Sequence, residues 1–144
     1  LGTSGTLMGV GTYLREHKPD VLIFAIEPPT GESVEGLRSI DDGYIPPIYE
    51  EWGGSEILSG RRIVRPRESI EYTRRLSDEC GILAGISSGA ALAGALRVIE
   101  GLDPEQNAVV VFIVCDAGWK YLSTGAWTND LDEAERNVES IIYF

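Results

Sequence analysis

The residues best suited to chemistry form a glycine- and hydroxyl-rich turn, GTSGT, near the start of the chain. Leu7, Val10 and Leu14 follow it at helical spacing. A helix N-terminus presents unpaired backbone N–H groups and a partial positive charge, which together favour phosphate binding. A structural turn with a close helix contact would give the same pattern. The candidate phosphate-binding residues are Gly2, Thr3, Ser4, Gly5 and Thr6.

A second small-residue turn, GILAGISSGAA over residues 81–91, opens onto an alanine-rich sequence. Its candidate functional residue is Ser87, whose hydroxyl could contact a ligand or serve as a helix N-cap. Two further motifs follow apolar runs, namely Glu27-Pro28 and Asp116 with the sequence AGWKYLST after it. Asp116 could contact a ligand through water or a hydroxyl, or it could cap the next helix.

The pattern of apolar residues predicts alternating helices and strands, hence parallel βαβ units in an open twisted sheet flanked by helices, an α/β fold. Ligands of such sheets bind beyond the carboxyl ends of the strands, where the motifs lie. The predicted elements are a helix over 7–17, strands over 21–26 and 61–65, a helix from Pro66, a helix after the second turn, a buried strand over 108–114 and a helix from Leu131.

Taken in order, these motifs resemble the C-terminal half of the cysteine synthase family, pyridoxal phosphate (PLP) enzymes of fold type II with the tryptophan synthase β-like fold. The resemblance extends over all 144 residues. GTSGTLMGVG is similar to the family's cofactor-phosphate loop, and GISSGAA to its turn at the pyridine nitrogen. AGWKYLSTGA and the segment 31–46 are most similar to the actinobacterial branch that accepts O-phosphoserine.

The resemblance implies PLP as the cofactor and roles for the candidate residues. The turn Gly2–Thr6 would bind its phosphate, and the Ser87 hydroxyl would contact the ring nitrogen. Asp116 would lie near the ring, with helix capping as its alternative role. No metal is implied: the two cysteines, Cys80 and Cys115, lack metal-ligand spacing.

Arg38 is the candidate substrate-binding residue. The segment that contains it, GLRSIDDGYIP, departs from the QGIGAGFIP pattern common in cysteine synthases. A guanidinium can bind a phosphate dianion through two parallel hydrogen bonds, so Arg38 is a plausible partner for the phosphate of O-phosphoserine. The alternative is an ion pair with Glu35, Asp41 or Asp42.

The activity implied is PLP-dependent β-replacement, which forms L-cysteine from O-phosphoserine or O-acetylserine and a sulphur donor. The donor would be a thiocarboxylated carrier protein or sulphide, and the enzyme a homodimer. The alternatives are a cystathionine β-synthase or threonine dehydratase relative, or a non-catalytic scaffold. Neither lysine, Lys18 or Lys120, matches the family's Schiff-base lysine, which lies in the N-terminal half. Residues 1–144 are therefore expected to be a C-terminal portion that is inactive alone.

Composition limits the partners and the cellular setting that can be expected for this chain. A net charge of −11 disfavours nucleic acid and anionic membrane surfaces as partners. No apolar run approaches the roughly 20 residues of a membrane span. Cys80 and Cys115 are expected to be free thiols in the core, which suits the cytoplasm. The tryptophans at 52, 119 and 127 are interpreted as packing residues.

Overall fold

The structure, a computed structural model, describes residues 1–140. Within them, two parallel strands are surrounded by helices, and two 3₁₀ turns lie at Ile40–Asp42 and Gly118–Thr124. The strands are β1 (Phe24–Glu27) and β2 (Gly60–Ile63); the helices are α1 (Gly5–His17), α2 (Pro47–Glu51), α3 (Gly54–Ile57), α4 (Pro66–Cys80), α5 (Ile86–Glu100) and α6 (Leu131–Ser140).

Both faces of the sheet are covered, as the apolar run before Glu27 predicts. Side chains alternate along a strand, so neighbouring residues of β1 face opposite layers. Ala25 packs into a cluster with Met8 of α1 and Tyr49 of α2. Ile26 packs against a second cluster, which includes Ala90 of α5. The predicted α/β architecture with a parallel sheet is thus confirmed.

Glycines let α5 approach its neighbours closely, and this fixes the turn that precedes the helix. A Cβ on Gly89 would overlap Ser69 O and Thr73 Oγ1 of α4. A Cβ on Gly94 would overlap the side chain of Ile26 on β1. The start of α5 is therefore held against both α4 and the sheet.

The prediction of a buried strand over 108–114 is wrong for the described part of the chain. Val109 is 90% exposed and Val111 is 81% exposed. Residues 108–114 form no strand, because no other segment among residues 1–140 pairs with them. High strand propensity is not sufficient when no other strand pairs with the segment.

The cysteines and two of the tryptophans also differ from expectation. Cys80 and Cys115 are free, as predicted, but both are exposed rather than buried in the core. Cys80 is the last residue of α4, and the last three residues of this helix are all exposed. Trp52 and Trp119 are 50% and 65% exposed, whereas Trp127 packs against the core. None of the helices within residues 1–140 has the length and apolar character needed to cross a membrane.

Candidate functional site

The turn Gly2–Thr6 leads directly into α1, as the sequence predicts. Ser4 is the N-cap residue, with a φ of 68° and no side-chain capping bond. The first N–H of this region with a carbonyl partner is that of Met8, which donates to Ser4 O at 2.8 Å. The N–H groups of Gly5, Thr6 and Leu7 have no backbone acceptor among residues 1–140. The first turn of α1 contains no acidic residue, so nothing there repels an anion.

The same turn carries three hydroxyl side chains, those of Thr3, Ser4 and Thr6. Ser4 is only 4% exposed, yet its Oγ has no hydrogen-bond partner in the described part of the chain. Thr3 and Thr6 are exposed on the same turn. A buried hydroxyl without a partner is uncommon and calls for a group that the described chain does not supply. The turn therefore offers both backbone and side-chain donors to an anion.

The other predicted motifs converge on this turn. A Cβ on Gly2 would lie 2.5 Å from Gly36 O, so a glycine is needed for the close approach of the two segments. Gly36 has a φ of +78°, and a Cβ on it would lie 4.0 Å from Ser87 Oγ. The N–H of Arg38 donates to Leu1 O at 2.7 Å. The segment around residues 36–38 thus bridges the first turn and the start of α5.

Ser87 is not the N-cap of α5. The N-cap residue is Gly85, and no side chain caps the helix there. Ser87 is 7% exposed, and its hydroxyl makes no hydrogen bond with another residue of 1–140. Ser88 has the structural role instead, because its Oγ accepts a 2.9 Å hydrogen bond from the N–H of Cys115. The hydroxyl of Ser87 therefore remains available to a ligand.

Asp116 belongs to the same region but does not cap the following 3₁₀ turn. The N-cap there is Ala117, without a side-chain capping bond. The Asp116 Oδ2 instead accepts a 2.8 Å hydrogen bond from Tyr121 Oη and lies 3.3 Å from Lys120 Nζ. Its buried Oδ1 has no partner in the described chain. A Cβ on Gly85 would overlap Asp116 Oδ1, so a glycine is needed at this position. The Asp116 carboxylate thus packs against the turn before Ser87.

A cavity of about 530 Å³ opens beside Asp116. Glu35 lies at its wall, where burial raises the pKa of this carboxyl and the charge of Asp116 raises it further. Lys120 and Tyr121 lie in the AGWKYLSTGA motif, four and five residues after Asp116, but their contacts with Asp116 were not predicted. No sequence motif indicated that Glu35 would lie beside Asp116. The cavity is lined by Glu35, Gly36, Asp116, Trp119, Lys120 and Tyr121.

Arg38 is exposed beside the first turn, and its guanidinium lies 5.7 Å from the centre of the Tyr44 ring. No ion pair with Glu35, Asp41 or Asp42 is found for it within residues 1–140. The structure therefore does not show Arg38 in the surface ion pair that was its alternative interpretation.

Known proteins identify the family to which these motifs belong. The family described as "Pyridoxal-phosphate dependent enzyme" matches residues 1–116. The chain belongs to this family. Its cofactor is PLP, as the sequence resemblance implies.

Individual relatives agree with that assignment. Cysteine synthase B of Pseudomonas aeruginosa is 39% identical over 127 residues, which are 88% of this chain and 40% of the relative. Cysteine synthase B of Escherichia coli matches to the same extent, with 39% identity over 127 residues, 88% of this chain and 40% of its own length. The chain thus spans about 40% of the length of these relatives.

Solved structures show the same fold. Cysteine synthase from Entamoeba histolytica has a TM-score of 0.77 and 26% identity, covering 99% of this chain and 44% of its own. O-acetylserine dependent cystathionine beta-synthase from Helicobacter pylori has a TM-score of 0.72 and 29% identity, covering 88% of this chain and 42% of its own. The predicted PLP fold type II is therefore confirmed for this chain.

The residues present fit the family's cofactor. The free N–H groups at the start of α1 and the unpartnered Ser4 hydroxyl suit a phosphate group. The lack of a Cβ on Gly2 lets this turn meet Gly36, and a Cβ on Gly36 would lie 4.0 Å from the Ser87 hydroxyl. These groups supply neutral donors at two separate points, as a ligand with a phosphate and a ring nitrogen requires.

Proposed function

We propose that this chain belongs to a PLP-dependent enzyme that forms L-cysteine by β-replacement on an activated serine, with O-phosphoserine as the preferred substrate. The observation that carries the proposal is the convergence of the Gly2–Thr6 turn, Gly36–Arg38 and Ser87. The similarity to cysteine synthases supports the same reaction type. This chain would supply the C-terminal portion of the enzyme.

Two groups of residues would hold the cofactor. The N–H groups of Gly5 and Thr6, with the hydroxyls of Thr3, Ser4 and Thr6, would bind its phosphate. When bound, PLP supplies the electron sink that lets a β-substituent leave an amino acid. The Ser87 hydroxyl would donate to the ring nitrogen without adding charge, which suits β-elimination better than a carboxylate partner. Asp116 is proposed to act at the edge of the same site, through its hydrogen bonds with Tyr121 and Lys120.

Arg38 would distinguish O-phosphoserine from O-acetylserine. Its guanidinium is exposed and without an ion pair among residues 1–140, while its backbone is fixed to the phosphate-binding turn through Leu1. A free guanidinium next to the cofactor site suits a doubly charged leaving group. A neutral acetyl ester would gain little from it.

The partners and setting follow from the same proposal. The sulphur donor would be a thiocarboxylated carrier protein or sulphide, and the enzyme would be a homodimer. Two exposed cysteines without a disulfide suit the reducing cytoplasm. A net charge of −11 disfavours nucleic acid as a partner.

The test is a comparison of substrates with the complete enzyme that contains this chain. We expect kcat/KM for O-phosphoserine to exceed that for O-acetylserine when sulphide is the donor. A second arm replaces sulphide with homocysteine, because one structural relative is an O-acetylserine dependent cystathionine beta-synthase. Product formation from homocysteine but not from sulphide would favour that relative's reaction over cysteine synthesis.

A further inference from the structure

One guanidinium joins the buried end of β1 to the segment that follows Arg38. Arg61 Nη1 lies 3.2 Å from Glu27 Oε2 and 3.0 Å from Asp41 Oδ2. Glu27 is completely buried at the end of β1, and its other carboxylate oxygen has no partner in the described chain. Arg61 lies on the adjacent strand β2 and is paired in register with Ala25. Its position is therefore set by the sheet rather than by the loop.

The acidic residues nearest to Arg38 in sequence are all directed elsewhere. Asp41 contacts Arg61, as described above. Asp42 Oδ1 accepts a 2.9 Å hydrogen bond from the N–H of Gly31. Glu35 lies at the wall of the cavity beside Asp116. Arg38 consequently has no ion pair within residues 1–140, although three carboxylates lie close to it along the chain.

We propose that Arg61 is a positioning residue for substrate specificity, which keeps the Arg38 guanidinium free for a phosphate group by holding Asp41 at the buried Glu27. The proposal rests on the function proposed above, in which Arg38 binds the phosphate of the substrate. Only two residues separate Arg38 from Asp41. A released Asp41 carboxylate would therefore reach Arg38 and compete with the substrate phosphate for it.

The variant Arg61→Lys separates the two contacts. Glu27 retains the cation because an unpaired charge at a fully buried site costs more than one at the half-exposed Asp41. Lysine is shorter and lacks the planar guanidinium, so Asp41 is the partner that it gives up. An exposed ion pair is worth up to about 1 kcal/mol, so competition by Asp41 should lower kcat/KM for O-phosphoserine about three- to fivefold.

The test measures kcat/KM of the complete enzyme for O-phosphoserine and O-acetylserine. We expect Arg61→Lys to lower only the value for O-phosphoserine, chiefly by raising KM. Adding Asp41→Asn should restore it, because the neutral amide no longer competes for Arg38. The matched control is Arg62→Lys: Arg62 lies over the Phe24 ring, 4.4 Å from its centre, and this variant should leave both values unchanged.

A second pair of variants avoids a charge left alone in the interior. Arg61→Met combined with Glu27→Gln removes the buried charge of Glu27 together with its cationic partner and still releases Asp41. It should show the same selective loss, and it should be rescued by Asp41→Asn. Equal losses on both substrates, or no rescue by Asp41→Asn, would overturn the role of Arg61. The proposed function is tested separately with Arg38→Ala. If this variant turns over O-phosphoserine as the wild type does, the proposed function fails.

Discussion

The backbone N–H of Arg38 donates a 2.7 Å hydrogen bond to the carbonyl oxygen of Leu1. This bond joins the start of the turn that we propose binds phosphate to the segment that carries the candidate substrate residue. Gly2 contacts Gly36 beside it, and the Ser87 side chain lies close to Gly36. The residues proposed to bind the cofactor and the substrate are thus held together by one small set of backbone contacts.

Gly5→Asp should weaken PLP binding in the complete enzyme. A Cβ at Gly5 has room, since the nearest atom is Thr3 Oγ1 at 3.9 Å, so the new carboxylate acts through its charge. The negative charge of this carboxylate repels the cofactor phosphate at the start of α1. Loss of a charge-assisted bond costs roughly 1.5–3 kcal/mol, or about one to two powers of ten in affinity.

The measurement is a titration of the apoenzyme with PLP, followed by absorbance. Gly5→Ala is the control, because it adds the same Cβ without charge and should bind PLP nearly normally. If Gly5→Asp binds PLP as tightly as the wild type does, the turn does not contact the phosphate.

Ser87→Ala and Ser88→Ala should have opposite consequences. The Ser87 hydroxyl makes no hydrogen bond within residues 1–140, so its removal should lower turnover with little effect on stability. Ser88 is fully buried and accepts from the N–H of Cys115, so Ser88→Ala leaves that donor unpaired. The cost in unfolding free energy should be about 1–3 kcal/mol.

Denaturant unfolding and steady-state kinetics on both variants measure the two effects. Wild-type turnover by the Ser87→Ala enzyme would show that this serine does not contact the cofactor.

Two glycine-to-alanine changes test how tightly α5 is packed. Gly89→Ala places a methyl group against Ser69 O and Thr73 Oγ1, and overpacking of this kind costs about 1–3 kcal/mol. Gly9→Ala on α1 meets no atom within 4 Å and should stabilise the protein by about 0.5–1 kcal/mol. Urea unfolding of the complete enzyme measures both. A Gly89→Ala variant as stable as the wild type would contradict the close approach of α4 and α5.

Stability should depend on pH through Glu35. Burial and the Asp116 charge raise its pKa in the folded protein above the ordinary 4.5, so ionisation opposes folding. The favourable contribution of the protonated form is complete below pH 4.5 and is lost as the pH rises through the raised pKa. Glu35→Gln removes this loss, so the variant should be more stable than the wild type at pH 7 and not at pH 4.

Unfolding curves at both pH values measure the difference. Glu79→Gln is the control of opposite sign, because the hydrogen bond from Arg75 lowers the pKa of Glu79 and its ionisation favours folding. A Glu35→Gln variant that gains no stability at pH 7 would show that this carboxyl is not buried as described.

The sequence was sufficient for features that depend on local pattern. Small residues followed by helical spacing predicted the turn before α1. The apolar run before Glu27 predicted a strand covered on both faces, and Ala25 and Ile26 confirm it. Such features are specified by neighbouring residues, so one sequence contains enough information to find them.

Features that depend on a partner distant in sequence were missed. The valines at 109 and 111 have strand propensity, but no segment of residues 1–140 pairs with them. The contact of Arg61 with Glu27 depends on strand pairing, and its contact with Asp41 depends on where the segment after Arg38 lies. Neither the spacing nor the type of these residues indicates that they meet.

The most direct test of the proposed function is kcat/KM of Arg38→Ala for two substrates. A charge-assisted hydrogen bond is worth roughly 1.5–3 kcal/mol, so O-phosphoserine turnover should fall about ten- to a hundredfold in the complete enzyme. O-acetylserine turnover should change much less, because its leaving group carries no phosphate. Equal losses on the two substrates would mean that the Arg38 side chain only supports its own segment, through its contact with the Tyr44 ring, and does not bind the phosphate. A wild-type enzyme that does not use O-phosphoserine would contradict the proposed substrate itself.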